Sequence, residues 1–196
     1  MSGAKSTLVT MIVSLGVITI VAGGLLAGVN VLTADAIAQA NQQKQVEAIK
    51  NVATVAFDND PVSDKVTVVP EGEAREITIF PLKNGDELTG AAVETYSSNG
   101  FSGDIVIMVG FDTEGDITGY EVVSHAETAG LGAKMQDWFR DSKHTVIGLN
   151  PGVNNLTVSK DGGDVDAITA ATISSRAFLE ALNRAYKGFN QSKDNL

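Results

Sequence analysis

The segment DIVIMVGFDTEGDITGYEVVS, residues 104–124, carries a clear strand signal. Both of its halves are rich in Val, Ile and Tyr, which belong to the β-branched and aromatic types that are enriched in strands. Between the halves, the stretch from Thr113 to Asp116 is polar and contains a glycine, which is typical of a turn. The segment therefore predicts an antiparallel β-hairpin with strands at 104–111 and 117–124.

The chain around this hairpin alternates between strand-like and helix-like patterns. Further strands are predicted at 76–80, 88–96 and 155–159. A short helix is predicted at 133–141 and a longer one at 174–189, where apolar side chains recur at helical spacing. That stripe consists of Phe178, Leu182, Ala185, Tyr186 and Phe189. Strands and flanking helices around one core predict an α+β domain at 61–196, with one mostly antiparallel sheet.

Residues 1–33 are predicted to form a single transmembrane anchor. Lys5 is followed by a long run without a charged residue, and about 20 such residues in a helix span the hydrocarbon core. A cleaved signal peptide is the alternative, but its apolar core is usually only ~7–15 residues long. Because Lys5 precedes the run and no Lys or Arg follows before Lys44, the N-terminus is expected to be cytoplasmic and the remainder outside. Residues 34–60 are expected to form a stalk that is helical to residue 56, since Ala, Gln, Lys and Glu dominate there.

Composition narrows the classes of function. The formal net charge of −10 argues against nucleic-acid binding, which needs an excess of Lys and Arg. The absence of Cys excludes disulfides and thiolate-ligated iron–sulfur clusters within this chain, and two His are too few for a His-rich metal site. Any redox chemistry would therefore need an organic cofactor.

Three segments carry candidate functional residues. The first, DAITAATISSRA at 166–177, crowds four hydroxyl side chains among alanines before the last helix, which suits either a helix cap or an anion bound at the helix start. The second, SHAETAGLGAK at 124–134, has glycines that let a backbone approach a flat ligand, and a polar surface turn is its alternative. The third, SSNGFSGD at 97–104, places Phe101 between two glycines, with a plain hairpin loop as its alternative. Lys160 follows a predicted strand and is either a ligand contact or a solvated surface lysine.

Together these segments resemble the FMN-binding domain found in the G subunit of Rnf complexes and the C subunit of sodium-pumping NADH:quinone oxidoreductase. The family carries a loop resembling H-x-E-T-P-G-L-G, and this sequence has HAETAGLG at 125–132. The family also carries a flavinylation motif resembling D-x-x-[ST]-G-A-T-x-[ST]-S, and this sequence has DAITAATISS at 166–175. Ala129 stands where the loop often has Pro, and Ala170 stands where the motif usually has Gly. The single N-terminal membrane helix, the short length and the compact loops are more similar to the Rnf G subunit.

The resemblance implies a covalent FMN, joined through its phosphate to the hydroxyl of Thr172 by a separate flavin transferase that uses FAD. Within this picture Leu131 would lie against the face of the flavin ring, and Lys160 would approach the ring or the phosphate. The residues implied to bind the cofactor are Asp166, Thr169, Ala171, Thr172, Ser175, His125, Glu127, Thr128, Leu131, Gly132, Phe101 and Lys160.

The resemblance also implies a role in electron transfer. The chain would relay electrons among the membrane subunits of a complex that couples ferredoxin:NAD oxidoreduction to ion translocation, in a bacterial or archaeal inner membrane. No substrate chemistry is expected at this subunit. Three alternatives stay open: a membrane-tethered module that holds flavin non-covalently or acts as a scaffold or sensor, the C subunit of the sodium pump, and a domain that feeds electrons to an extracellular reductase.

Overall fold

The computed structural model describes the backbone of residues 5–196 and the side chains from residue 7 onward. The first four residues of the predicted anchor and the side chain of Lys5 lie outside this description. The chain divides into two compact units, one up to Lys44 and the other Gln45–Leu196.

Helix α1 (Lys5–Val52) belongs to both units, and the predicted boundary between anchor and stalk falls within it. From Thr7 onward, it is the one helix in the described residues whose length and composition would allow it to cross a membrane. Its large apolar side chains from Leu8 to Leu32 are exposed. The helix ends four residues before the predicted end at residue 56. At this end, the Val52 carbonyl accepts a hydrogen bond from the Thr118 hydroxyl (2.8 Å).

The second unit contains a five-stranded sheet whose strands follow chain order and pair only with antiparallel neighbours. The strands are β1 (Val66–Val68), β2 (Ile77–Asn84), β3 (Glu87–Ser97), β4 (Ile105–Asp112) and β5 (Ile117–Ser124). The predicted α+β fold with an antiparallel sheet and flanking helices is confirmed, including the hairpin of β4 and β5.

Three details of the predicted strands are wrong. Strand β1 was not predicted, because three residues are too few for a periodic pattern. Strand β2 continues through Pro81 rather than ending at residue 80. The proline is tolerated because β1 pairs only with residues 77–79, so no neighbour on that side needs the missing N–H. Residues 155–159 form no strand, and only Val158 makes an isolated bridge, to Val165.

Two further helices belong to the second unit, Gln45–Leu196, which we call the sheet unit. Helix α2 (Met135–Trp138) follows a 3₁₀ turn at Gly132–Lys134, so the helix predicted at 133–141 is shorter than expected. Helix α3 (Thr172–Ser192) begins two residues earlier and ends three residues later than predicted. Two more 3₁₀ turns lie at Ser159–Asp161 and Lys193–Asn195.

The sheet buries both of its faces. Successive residues of a strand point to opposite faces, so Val109 packs in the cluster that contains α3, while Met108 packs with the end of α1. On the α3 side, Phe178 stacks on Phe139 with ring centroids 4.5 Å apart. Full burial of one such ring contributes about 1.5–3 kcal/mol to stability. The apolar stripe of α3 therefore fixes this helix on the sheet, and with it the position of the residues at the helix start.

Candidate functional site

The three segments that stand out in the sequence meet at one cavity of about 340 Å³. One wall is the start of α3 and the turn before it, the second is the loop after β5, and the third is the loop between β3 and β4. The lining residues are Phe101, Glu127, Thr128, Leu131, Gly132, Ala170, Ala171, Thr172, Ile173 and Ser174.

The turn before α3 is held by Ser175. Its buried hydroxyl accepts a hydrogen bond from the Ile168 N–H (2.9 Å) and donates one to the Ala171 carbonyl (3.0 Å). Within this turn Ala170 has φ of 63°, the left-handed conformation that favours glycine. Ser175 therefore acts from the interior, since it is fully buried and does not line the cavity.

No side chain among the described residues caps α3, so the capping alternative is wrong for this helix. The Ser174 hydroxyl donates instead to Glu127 (2.6 Å), and that of Ser175 to Ala171. The first N–H groups of a helix have no carbonyl one turn earlier, and they form the positive end of the helix dipole. Half-buried Thr172 lines the cavity at this point, and its hydroxyl makes no hydrogen bond to any residue in 5–196.

The loop after β5 presents Leu131 to the cavity. The Thr128 carbonyl accepts hydrogen bonds from the N–H groups of Leu131 (3.1 Å) and Ala133 (3.2 Å), which closes the loop into a tight turn. Gly130 has φ of 77°, so glycine is needed there for conformation. Leu131 remains 42% exposed, and the exposed Thr128 hydroxyl has no hydrogen-bond partner in the described chain.

Two residues of the same loop serve mainly to hold it. His125 does not line the cavity, and its Nδ1 accepts a hydrogen bond from the N–H of Glu127 (3.1 Å). The carboxylate of Glu127 accepts one from the N–H of Ser102 (3.0 Å) and one from the hydroxyl of Ser174. The site thus depends on contacts between segments that are distant in sequence.

A second cavity of about 350 Å³ lies on the other side of Ala170, which lines both. Three of the residues predicted to bind the cofactor line it, namely Lys160, Asp166 and Thr169. Lys160 and Thr169 are exposed, and neither side chain makes a hydrogen bond or a salt bridge within residues 5–196. The predicted residues are thus divided between two adjoining cavities.

Asp166 is anchored in the second cavity by residues that sequence reasoning missed. Its carboxylate accepts a hydrogen bond from the Ser159 hydroxyl (2.9 Å), and its backbone carbonyl accepts one from the indole of Trp138 (3.0 Å). The indole stacks on His144, with ring centroids 4.4 Å apart, and His144 Nδ1 lies 3.6 Å from the carboxylate. These partners come from three separate segments, so no local pattern indicates them.

Arg176 joins α3 to the 3₁₀ turn at Ser159–Asp161, and this turn contributes Ser159 and Lys160 to the second cavity. Its guanidinium donates two hydrogen bonds to the carboxylate of Asp161, at 2.6 and 2.8 Å. The hydrogen bond from Arg176 holds the pKa of Asp161 below its usual value. Because the pair is exposed, it contributes little stability, but it orients the 3₁₀ turn that carries Lys160.

The first cavity fits FMN, which combines a flat, largely apolar ring system with a phosphate. Three large apolar side chains at its rim remain exposed: Phe101 at 69%, Ile173 at 48% and Leu131 at 42%. These side chains suit the ring, and the uncapped start of α3 suits the phosphate. Ile173 was not predicted, because it lies just before the helix predicted at 174–189, where a single apolar residue indicates no ligand contact.

Comparison with known proteins identifies the class. The family model described as the FMN-binding domain matches residues 100–187, which include the whole first cavity. A second family model, the RnfG N-terminal region, matches residues 13–52.

The chain is also similar to curated proteins along most of its length. The G subunit of the ion-translocating oxidoreductase complex of Stutzerimonas stutzeri is 35% identical over 178 residues, covering 88% of this chain and 76% of that protein. The corresponding protein of Vibrio parahaemolyticus is 32% identical, covering 88% and 85% respectively. The crystal structure of Shewanella oneidensis NqrC has 20% identity and a TM-score of 0.46, over 74% of this chain and 82% of that one. The chain belongs to the family of G subunits of ion-translocating oxidoreductase complexes.

Proposed function

We propose that this chain is an electron-relay subunit that carries FMN joined by a phosphoester bond to Thr172. The observation that carries the proposal is the Thr172 hydroxyl, which lines an apolar-rimmed cavity at an uncapped helix start and has no partner in the described chain. The neighbouring hydroxyls of Ser174 and Ser175 are buried and hydrogen-bonded within the fold, whereas the Thr172 hydroxyl lies at the cavity.

Attachment requires a donor and an enzyme. A flavin transferase would use FAD, so that a bond forms between Thr172 Oγ and the FMN phosphorus while the diphosphate bond breaks. AMP leaves, and the hydroxyl proton is released. The small side chains of Ala170 and Ala171 leave room for this exchange, and the first turn of α3 stabilises the charge of the attached phosphate.

The bound FMN would supply one-electron chemistry, and the surrounding side chains would control its environment. Leu131, Phe101 and Ile173 would exclude water from the ring. The Thr128 hydroxyl is free to hydrogen-bond a polar ring atom. Lys160, on the far side of Ala170, would favour the negative charge of the phosphate or of the reduced ring.

Membership of the family supports a proposal for the partners and the location. The other membrane subunits of an Rnf-type complex would supply and accept electrons, and the complex would couple ferredoxin:NAD oxidoreduction to ion translocation. We propose a single-pass inner-membrane protein with an anchor at 1–33, a stalk at 34–60 and an outward-facing FMN-binding domain at 61–196. The apolar length of α1 supports the anchor, and the absence of Lys and Arg between Lys5 and Lys44 supports the orientation.

The test is the attachment site itself. The full chain, co-expressed with a flavin transferase, should fluoresce on a denaturing gel and have a mass higher than its sequence mass by one FMN less water. Thr172→Ala should abolish both signals. Thr113→Ala is the matched control, because that exposed hydroxyl lies in the turn between β4 and β5 and lines neither cavity, and it should retain both signals. Flavin lost on denaturation, or retained by Thr172→Ala, would contradict the proposal.

A further inference from the structure

Glu127 is the one buried carboxylate among the residues that the structure describes, with 7% of its surface exposed. A carboxylate removed from water is costly unless its oxygens are hydrogen-bonded, so its position needs an explanation. Elsewhere in the described sheet unit, buried side chains are almost all apolar or hydroxyl-bearing. This carboxylate lines the first cavity, as Thr172 does, and it forms no ion pair with any cation in the described chain.

The carboxylate joins three segments of the site. One oxygen accepts the N–H of Ser102 from the loop between β3 and β4, at 3.0 Å. The other accepts the hydroxyl of Ser174 from the first turn of α3, at 2.6 Å. Its own backbone belongs to the loop after β5, where its N–H donates to His125. The three walls of the cavity are therefore connected through one side chain.

Gly132 leaves space for this carboxylate. A Cβ atom at Gly132 would lie 2.5 Å from Glu127 Oε2 and 2.5 Å from the Ser174 hydroxyl. A Cβ at Gly100 would first meet the Gly103 carbonyl oxygen and would also lie 2.9 Å from Glu127 Oε1. Gly132 does not have the left-handed φ that would explain it by conformation, so the loop after β5 is shaped around the Glu127 side chain at this point.

Within the described part of the chain, the direct partners of this charge are neutral groups, and a helix dipole adds to them. The partners of the carboxylate are an amide and a hydroxyl, and the nearby helix start adds only the partial charge of a dipole. A negative charge in a partly desolvated wall acts strongly on a neighbouring group that gains negative charge. Reduction of a flavin in this cavity would add such charge to the ring.

Building on the proposed function, we infer that Glu127 is a positioning residue that connects the three walls around the flavin and lowers its reduction potential through its fixed charge. A purely structural carboxylate would change folding when replaced, but not the potential of a flavin that stays attached. The potential is therefore the readout that separates the two roles.

The experiment compares three variants of the flavin-loaded full chain by redox titration. Glu127→Gln keeps the size and removes the charge. Glu114→Gln makes the same charge change in the exposed turn at the opposite end of β5. Ser174→Ala keeps the charge and removes one donor. We expect Glu127→Gln to favour the reduced flavin at least tenfold, a shift of about 59 mV for one electron, and Glu114→Gln to match the parent. Ser174→Ala should shift the potential in the negative direction.

The outcomes are distinguishable. A loaded Glu127→Gln protein that titrates like the parent overturns this inference and leaves the proposed function intact. If Glu127→Gln does not accumulate as folded protein, Ser174→Ala decides, and an unchanged potential there overturns the inference. A parent chain without attached flavin overturns the proposed function and this inference with it.

Discussion

At the scale of single residues, Ala170 is the least favourable backbone position in the site. It is the one non-glycine residue with positive φ in the described chain, and it stands where the related motif usually has Gly. The left-handed conformation costs an L-residue roughly 1–2 kcal/mol. A glycine in its place would lower the free energy of unfolding by roughly 0.4–1 kcal/mol, because it gives the unfolded chain more conformational freedom. The cost of the left-handed conformation at Ala170 is therefore larger than the entropic cost of a glycine.

Ala170→Gly is therefore expected to stabilise the chain by up to about 1 kcal/mol. Ala171→Gly is the matched control, because Ala171 has φ of −135° and gains nothing from a glycine, so it should destabilise. Urea unfolding of the flavin-free full chain in detergent, followed by the fluorescence of its single tryptophan, measures both. An Ala170→Gly chain that unfolds at lower urea than the parent would contradict the assignment of strain.

Single residues also show how far the sequence could predict this site. Thr172 and Leu131 were predicted from short motifs, each of which spans one loop, and both residues line the first cavity. The partners of Glu127 were not, since they lie 25 and 47 residues away in the chain and meet it only after folding. The same reason applies to Trp138, which contacts Asp166 across 28 residues.

At the scale of elements, the end of α1 is locked onto the sheet through two glycines. Gly110 of β4 and Gly119 of β5 are register partners, and the backbone of Val52 lies over both. A Cβ at Gly119 would lie 3.2 Å from Val52 Cα, while one at Gly110 would meet the Val52 carbonyl oxygen and the Thr118 hydroxyl. The sequence predicts both strands correctly, but a glycine inside a strand does not indicate which backbone will cross it.

This contact predicts a graded loss of stability. Gly110→Ala would force the Val52 carbonyl away from the sheet and should lower the free energy of unfolding by about 1–3 kcal/mol, as overpacking does. Gly119→Ala needs a shift of only a few tenths of an ångström and should cost less. Urea unfolding of the full-chain variants gives the order, and equal midpoints for Gly110→Ala and the parent would refute the locking contact.

At the scale of the whole molecule, charge is distributed unevenly along the chain. Lys5 is the only charged residue before Asp35, and every Asp and Glu follows the apolar run. Orientation in a membrane follows the Lys and Arg that flank a span, and acidic residues contribute little. The side chains exposed between Leu8 and Leu32 need a lipid environment or other apolar helices, because they form too large an apolar area to remain in contact with water.

The topology can be tested because the chain has no cysteine of its own. Val153 is 84% exposed in a loop of the sheet unit, so Val153→Cys should react with a membrane-impermeant maleimide in intact spheroplasts. Ser2→Cys, on the other side of the apolar run, is the control and should react only after lysis. We expect this pattern because a lysine that flanks a membrane span, here Lys5, stays on the cytoplasmic side. Reaction of Ser2→Cys in intact spheroplasts, with Val153→Cys protected until lysis, would place the flavin site in the cytoplasm and reverse the proposed orientation.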